Sequence, residues 1–150
     1  MANTYTCLHY HIIYSTKNRE GWASPDIEQR VWAYLGGIAR ENGMIALKVG
    51  GTVDHVHLVI GMPPTTTVSK AVQLLKGASS KWVHDTFPSV AASGWQDGYG
   101  AFTVSKSHLP DVIRYVEEQR EQHRTQTFQE EYRAFLDKHG IGYDERYLWG

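Results

Sequence analysis

One short stretch of the sequence, Asp-His-Val-His-Leu-Val-Ile, constrains the fold of this chain more than any other. Successive side chains of a β-strand point to opposite faces, so His55 and His57 would project together while Val56, Leu58 and Ile60 point the other way. The apolar side is expected to pack on helices. The two imidazoles could share one metal ion, although an exposed strand face that carries two histidines without a function gives the same pattern.

The rest of the sequence places this strand within an alternation of strands and helices. Hydrophobic periodicity and turn residues predict six elements in the order β-α-β-β-α-β: a strand at 4–14, a helix from Ser24 to Asn42, a hairpin of 44–49 and 53–60 around Gly50-Gly51, a helix from Val68, and a strand at 101–104. This order is typical of a ferredoxin-like antiparallel sheet with strand order 4-1-3-2 and both helices on one face. We therefore expect an α+β fold in which His55 and His57 lie on the open face of a central strand.

The first predicted strand carries a second pair of alternating histidines, His9 and His11, which competes for the role of metal site. Their central residue is Tyr10, and a half-exposed sheet face explains this pair equally well. The central valine and the apolar run of the later pair favour His55 and His57. The earlier pair would then lie close by on the neighbouring strand.

Two more helices follow the six elements. The first covers about residues 107–123 with Ser107 as its N-cap, and the last begins at a capping box and stops at Gly140. Tyr115 and Gln119 are four residues apart on the first of these helices and therefore share a face, at the polar edge of its apolar stripe. A tyrosine in that position is more often a packing residue than a catalytic one, so the helix alone assigns it no role.

The composition, 41% hydrophobic and 21% charged residues in a chain of 150, is ordinary for one globular domain. We expect a single domain over residues 1–150, with a core at about 4–140 and an aromatic tail at 141–150. One cysteine permits no internal disulfide and, with no signal-like or membrane-spanning apolar run, predicts a cytoplasmic protein. The formal net charge of −1 argues against indiscriminate nucleic-acid binding but leaves room for a local basic face.

The order of the motifs resembles a known family. A strand with His55-Val56-His57, followed after a helix and a strand by a helix that reads Tyr115-Val116-Glu117-Glu118-Gln119, resembles the single-tyrosine HUH transposases of the TnpA type (the Tnp_Y family), which move insertion sequences as single-stranded DNA. The likeness extends over about residues 5–140. It is supported by four further segments, residues 11–19, 76–80, 98–102 and 119–123.

The resemblance implies a metal-dependent reaction on DNA. His55, His57 and Gln119 would hold a divalent metal, Mg²⁺ or Mn²⁺, and Tyr115 would attack the scissile phosphate. A phenol with a pKa near 10 is a poor nucleophile at neutral pH and needs help. Such a metal would help because it stabilises the charge that develops on the phosphoryl oxygens. The products would be a 5′-phosphotyrosine and a free 3′-OH. A second 3′-OH can reverse the step and join strands.

The resemblance also implies the partners. The substrate would be single-stranded DNA with hairpins near the element ends, and the protein would be a homodimer in which the tyrosine helix of one subunit serves the histidines of the other. The sequence is compatible with such an exchange without requiring it. Candidate phosphate contacts are Lys70, Lys81, Lys106, Arg114, Arg120 and Arg124.

Other functions compete with this interpretation. A histidine-triad nucleotide hydrolase would need a third histidine at Val59, so that class is disfavoured. Two alternatives stay open: a domesticated, repeat-processing relative with the same chemistry, and a non-catalytic nucleic-acid-binding module on the same sheet.

Overall fold

Four antiparallel strands form the centre of the structure, a computed structural model that describes residues 3–90 and 94–149. The strands are β1 His9–Ser15, β2 Ile45–Thr52, β3 His55–Gly61 and β4 Gly100–Thr103. Their order in the sheet is β2-β3-β1-β4, so β1 and β3 are central. The predicted strand order and the α+β fold class are confirmed.

Two strand boundaries differ from the prediction. β1 begins at His9 rather than at residue 4, because its partner β3 ends opposite His9 and is soon followed by two prolines, which lack amide donors. β2 continues through Gly50 and Gly51, and the turn lies at residues 53–54 instead. A Cβ on Gly51 would lie 2.2 Å from the carbonyl oxygen of His55. Glycine is therefore needed for close strand approach and not for the turn.

Two long helices, α1 Pro25–Glu41 and α2 Val68–Thr86, cover one face of the sheet. Their apolar residues form one core with Leu58 and Ile60 of β3, both fully buried. Burial of such side chains stabilises a fold by about 1.5–3 kcal/mol each. The apolar side of the histidine strand thus packs on helices, as its alternation predicts.

Three shorter helices, α3 Leu109–Glu117, α4 Gln119–Thr125 and α5 Phe128–Lys138, cover the opposite face. The expectation of an open face is therefore wrong. The physical reason is that Ile13, Val59 and Phe102 share this face with the histidines and gain stability when apolar residues of the C-terminal helices cover them.

The helix expected at 107–123 is in fact two helices. The chain leaves helical geometry at Glu118 (φ −97°, ψ 23°), which separates α3 from α4. Ser107 is not the N-cap, because it lies within a 3-10 turn that precedes α3. The break leaves Tyr115 on α3 and Gln119 at the start of α4.

The side chain of Thr127 accepts a hydrogen bond from the amide of Glu130 (3.2 Å), which confirms the predicted cap of α5.

The aromatic tail docks on the body of the same chain. Its residues Leu148 and Trp149 pack against the apolar cluster beneath α5. In the described ranges, the structure contains no helix long and apolar enough to cross a membrane.

Candidate active site

The structure brings together the four residues that the sequence singles out, although they come from separate elements. His55 and His57 stand on β3, Tyr115 on α3 and Gln119 on α4. Both histidines are fully buried, Gln119 is 1% exposed, and Tyr115 is half-buried. The site therefore lies between the sheet and the C-terminal helices.

His55 is held on both ring nitrogens. Its Nδ1 lies 2.9 Å from Asp54 Oδ1, and its Nε2 lies 2.9 Å from Gln119 Oε1. Burial alone would raise the pKa of Asp54, but the hydrogen bonds with His55 and Thr52 and the charges of His55 and His123 together outweigh it, so the pKa is lowered. An ionised Asp54 accepts the Nδ1 proton of His55. In the neutral ring, Nε2 then carries the lone pair that a metal requires.

His57 joins β1 to the C-terminal helices. Its Nδ1 lies 2.7 Å from His11 Nε2, and its Nε2 lies 3.0 Å from Glu131 Oε1. Burial lowers the pKa of His57 to about 4, although Glu131 opposes the shift. His11 is therefore a direct neighbour of the site, whereas His9 contacts Cys7 instead (3.7 Å).

Glu131 of α5 is the residue that the sequence analysis missed. Its carboxylate is 1% exposed, and Oε1 lies 3.0 Å from His57 Nε2, 3.3 Å from His123 Nε2 and 3.6 Å from His55 Nε2. Burial alone would raise the pKa of Glu131, but hydrogen bonds from His123, His57 and Tyr115 and the charge of His57 together outweigh it and keep the pKa well below its usual range. The site thus contains a buried, ionised carboxylate.

The sequence does hold a signal for Glu131. The apolar stripe of α5 runs through Phe128, Tyr132 and Phe135, and Glu131 is three residues after Phe128, on the same side of the helix. An acidic residue inside an apolar stripe is costly to bury unless it has partners. That position alone marks it as a candidate for a polar site.

Tyr115 completes the network. Its hydroxyl donates a hydrogen bond to Glu131 Oε2, and the Gln119 amide nitrogen lies 3.3 Å from the same oxygen. Burial and the charge of Glu131 raise the pKa of Tyr115 above its ordinary value. In this arrangement the phenol is neutral, and a carboxylate is positioned to accept its proton.

The helix that carries Tyr115 is fixed to the sheet of its own chain. A Cβ on Gly50 would lie 2.9 Å from the carbonyl oxygen of Val116, so β2 and α3 approach closely. Lys48 pairs with Glu117 at 3.3 Å. On α4, Arg120 forms an ion pair with the buried Glu28 of α1.

The ligand atoms fit a divalent metal. One atom from each of His55, His57 and Glu131 lies within 4.8 Å of the others, and imidazole nitrogens and carboxylate oxygens are suitable ligands for such an ion. With its proton on Nδ1, the His55 ring would turn the lone pair of Nε2 toward Gln119 Oε1, a second acceptor, at 2.9 Å. Two acceptors at this distance need a proton or a cation between them. The residues present can therefore hold a metal, with Gln119 beside it.

The six cationic residues expected to contact phosphate lie on α2, α3, α4 and the 3-10 turn before α3. Four of them are in ion pairs: Lys81 with Asp85, Arg114 with Asp111, Arg120 with Glu28, and Arg124 with Glu121. Lys70 and Lys106 are exposed. Their role in DNA binding stays a prediction.

Comparison with known proteins identifies the class of protein that this fold and site define. The sequence profile of the family described as "Transposase IS200 like" matches residues 4–119. The matched segment contains both site histidines, Tyr115 and Gln119, whereas Glu131 lies beyond it. The fold is that of a TnpA-type transposase. The chain belongs to the IS200-like transposase family.

Individual relatives agree with this assignment. The chain is 25% identical over 122 residues to the transposase for insertion sequence element IS200 of Salmonella typhimurium and to that of Salmonella typhi, covering 77% of this chain and 80% of each relative. A provisionally assigned transposase from Deinococcus radiodurans R1 superimposes with a TM-score of 0.65 at 27% identity, over 79% of this chain and 96% of that one.

A more distant structure shares the fold. A REP-associated tyrosine transposase bound to a REP hairpin superimposes with a TM-score of 0.60 at 11% identity. The match covers 82% of this chain and 73% of that one. At this identity the likeness concerns the arrangement of the sheet and helices alone.

Proposed function

We propose that this transposase cleaves and rejoins single-stranded DNA through a covalent bond to Tyr115, in a reaction that requires a divalent metal. One observation carries the proposal. The hydroxyl of Tyr115 and the ring of His57 bind the two oxygens of the same buried carboxylate, Glu131. The nucleophile and the candidate metal ligands therefore form one connected network.

The cleavage step follows from this network. The phenolic oxygen of Tyr115 forms a bond to the scissile phosphorus, and the bond from phosphorus to the 3′-oxygen breaks. The phenolic proton passes to Glu131 Oε2, which already accepts a hydrogen bond from it. The departing 3′-oxygen takes a proton from water. The result is a 5′-phosphotyrosine and a free 3′-OH, and attack by another 3′-OH reverses the step.

The burial that raises the pKa of Tyr115 makes help necessary. A bound Mg²⁺ or Mn²⁺ would supply positive charge that stabilises the developing charge on the phosphoryl oxygens. His55, His57 and Glu131 would hold the ion, and Gln119 would add an amide oxygen. Asp54 and His11 would orient the two histidine rings through their Nδ1 atoms.

The proposal is tested with a 5′-labelled single-stranded oligonucleotide that carries the hairpins flanking the gene. With Mn²⁺ we expect a shortened labelled fragment and a protein–DNA adduct that survives a denaturing gel. EDTA or the substitution Tyr115→Phe should remove both products. Binding without cleavage under Mg²⁺ or Mn²⁺ would favour the non-catalytic nucleic-acid-binding module.

We further propose that each active site takes all its residues from one chain, even if the protein is the expected homodimer. The close approach of Gly50 to Val116 and the ion pair of Arg120 with Glu28 support this arrangement. Complementation tests it. A mixture of the Tyr115→Phe and His57→Asn variants should stay inactive, whereas restored cleavage would show that subunits exchange their tyrosine helices.

A repeat-processing role is the second candidate function, since the REP-associated relative of similar fold was solved with a REP hairpin. Such a protein would use the same residues on different DNA. Cleavage of hairpins scattered through the host genome, with none at the borders of the gene itself, would favour this role. Cleavage at both borders of the gene would favour a mobile element, and either reaction suits the expected cytoplasmic location.

A further inference from the structure

Two adjoining cavities lie between α3, α5 and β4, next to Tyr115. The first has a volume of about 490 Å³ with Tyr115 in its wall, and the second has a volume of about 290 Å³ and reaches β4. Both are near or within the range of about 300–1,000 Å³ that is typical of small-molecule sites. We name them together the tyrosine groove, and their shared lining residues are His11, His108, Val112, Phe135 and Lys138.

One wall of the tyrosine groove is aromatic. The partly exposed ring of Phe135 meets the ring of His11 edge-on at 5.1 Å and stacks on Phe102 at 5.4 Å. His139 continues the wall at 4.5 Å from Phe102. Aromatic side chains of this kind stack on the bases of single-stranded nucleic acid, and each stacked base contributes about 1–3 kcal/mol to the free energy of binding. Such stacking accepts any base.

Binding of single-stranded DNA also requires a cation near the phosphate backbone, and Lys138 can supply it. This residue is exposed and forms no ion pair within the part of the chain that the structure describes, unlike four of the six cations expected from the sequence. The acidic residue in the groove wall, Asp111, lies 3.7 Å from Arg114. The groove therefore combines a stacking surface with an available positive charge.

We propose that the tyrosine groove binds the unpaired nucleotide next to the scissile phosphate, with its base against Phe135 and its backbone near Lys138. This proposal rests on the proposed function and deepens it, because it assigns a nucleotide-binding subsite to a surface formed by α5 and β4 as well as by the tyrosine helix. Because Tyr115 lies in the wall of the first cavity, the phosphate of such a nucleotide would lie beside the phenol.

Binding without chemistry tests the groove. We would measure the affinity of the full-length protein in EDTA for a fluorescent oligothymidylate of about twelve nucleotides. The substitution Lys138→Glu should weaken binding about fivefold and reduce the salt slope by about 0.7, as expected for one lost phosphate contact on a single strand. The matched control, Arg40→Glu, makes the same charge change at the end of α1 on the opposite face and should change affinity less than twofold. Equal effects of the two variants, or no binding of the oligomer, would overturn the proposal.

The base contact has its own readout. Photo-crosslinking with 5-iodouracil in place of one thymine should attach the oligomer to the peptide that contains Phe135, and Phe135→Leu should reduce the yield. Crosslinks confined to other peptides would contradict the groove. These outcomes are separable from the proposed function. If the wild-type protein crosslinks in the groove but cleaves no DNA, the nucleotide-binding proposal stands and the proposed cleavage reaction is wrong. If it cleaves DNA but crosslinks elsewhere, the cleavage reaction stands and the nucleotide-binding proposal is wrong.

Discussion

The side chains on the two faces of β3 are equally buried but have different roles. Leu58 and Ile60 on one face, and His55 and His57 on the other, are all fully buried. The first pair packs in an apolar core under α1 and α2, whereas the second pair binds polar groups of α4 and α5. Alternation along one strand thus separates a face that stabilises the fold from a face that contains the candidate chemistry.

The difference lies in what burial costs. Apolar side chains gain free energy on leaving water, whereas polar groups lose it unless partners replace the water. Within the described residues, the buried side-chain polar atoms without a hydrogen-bond partner are Tyr14 Oη and Glu28 Oε2, and neither belongs to the site. The buried polar side-chain atoms of the site therefore lie within hydrogen-bond distance of partners, but the polar face contributes less net stability than the apolar face.

The largest expected effect on stability comes from the apolar face. The substitution Leu58→Ala removes a fully buried side chain and should lower the free energy of unfolding by about 2–5 kcal/mol. Urea denaturation measures this loss. At a temperature at which the variant stays folded, its DNA cleavage should be close to that of the wild type. A loss of activity in the folded variant would show that the two faces are not separable.

Acid should destabilise the polar face. Folding lowers the pKa of His57 to about 4, by burial, and burial also lowers that of His11. The unfolded state therefore binds more protons between pH 6.5 and pH 4, and stability falls as the pH decreases through this window. For His57 the loss approaches about 3 kcal/mol, at ~1.4 kcal/mol per pKa unit. Urea unfolding of the EDTA-treated protein at pH 7 and pH 4.5 measures it, and equal stabilities would contradict the burial of neutral histidines.

A metal should stabilise the polar face. At a Mn²⁺ concentration about 100 times Kd, the free energy of unfolding should rise by about 2.7 kcal/mol. We expect Glu131→Gln to lose most of this increase, because it removes a charged ligand atom. Its exposed neighbour gives a matched control, and Glu130→Gln should keep the increase. An equal response of both variants in thermal unfolding would exclude Glu131 as a ligand.

The smallest effect is expected where β2 meets the tyrosine helix. The Cβ of a Gly50→Ala variant would lie 2.9 Å from the backbone of Val116, so α3 must shift. We expect a loss of about 1–2 kcal/mol in stability and a larger proportional loss of DNA cleavage, because Tyr115 moves with the helix. Gly77→Ala, on α2 with open space around its Cβ, is the control. Full activity of Gly50→Ala would argue against a fixed position of α3 on its own sheet.

Local periodicity was sufficient to predict the sheet and its order, because alternation along β3 and the apolar stripes of α1 and α2 are short-range signals. It could not predict the break at Glu118 or the covering of the histidine face, since both depend on contacts between distant segments. The resemblance named His55, His57, Tyr115 and Gln119, which the structure places together. Glu131 was missed because it lies 74 residues from its partner His57, beyond the segment that carries the family motifs.

The central claim is that Tyr115 forms the covalent bond to DNA at the polar face. Its most direct test is mass spectrometry of the adduct formed with Mn²⁺ and hairpin-flanked single-stranded DNA, after digestion of the protein. We expect a 5′-phosphodeoxynucleotide on the peptide that contains Tyr115, no adduct with Tyr115→Phe, and an unchanged adduct with Tyr132→Phe, which removes a hydroxyl from the adjacent helix α5. An adduct on any other residue, or one that persists in Tyr115→Phe, would contradict it.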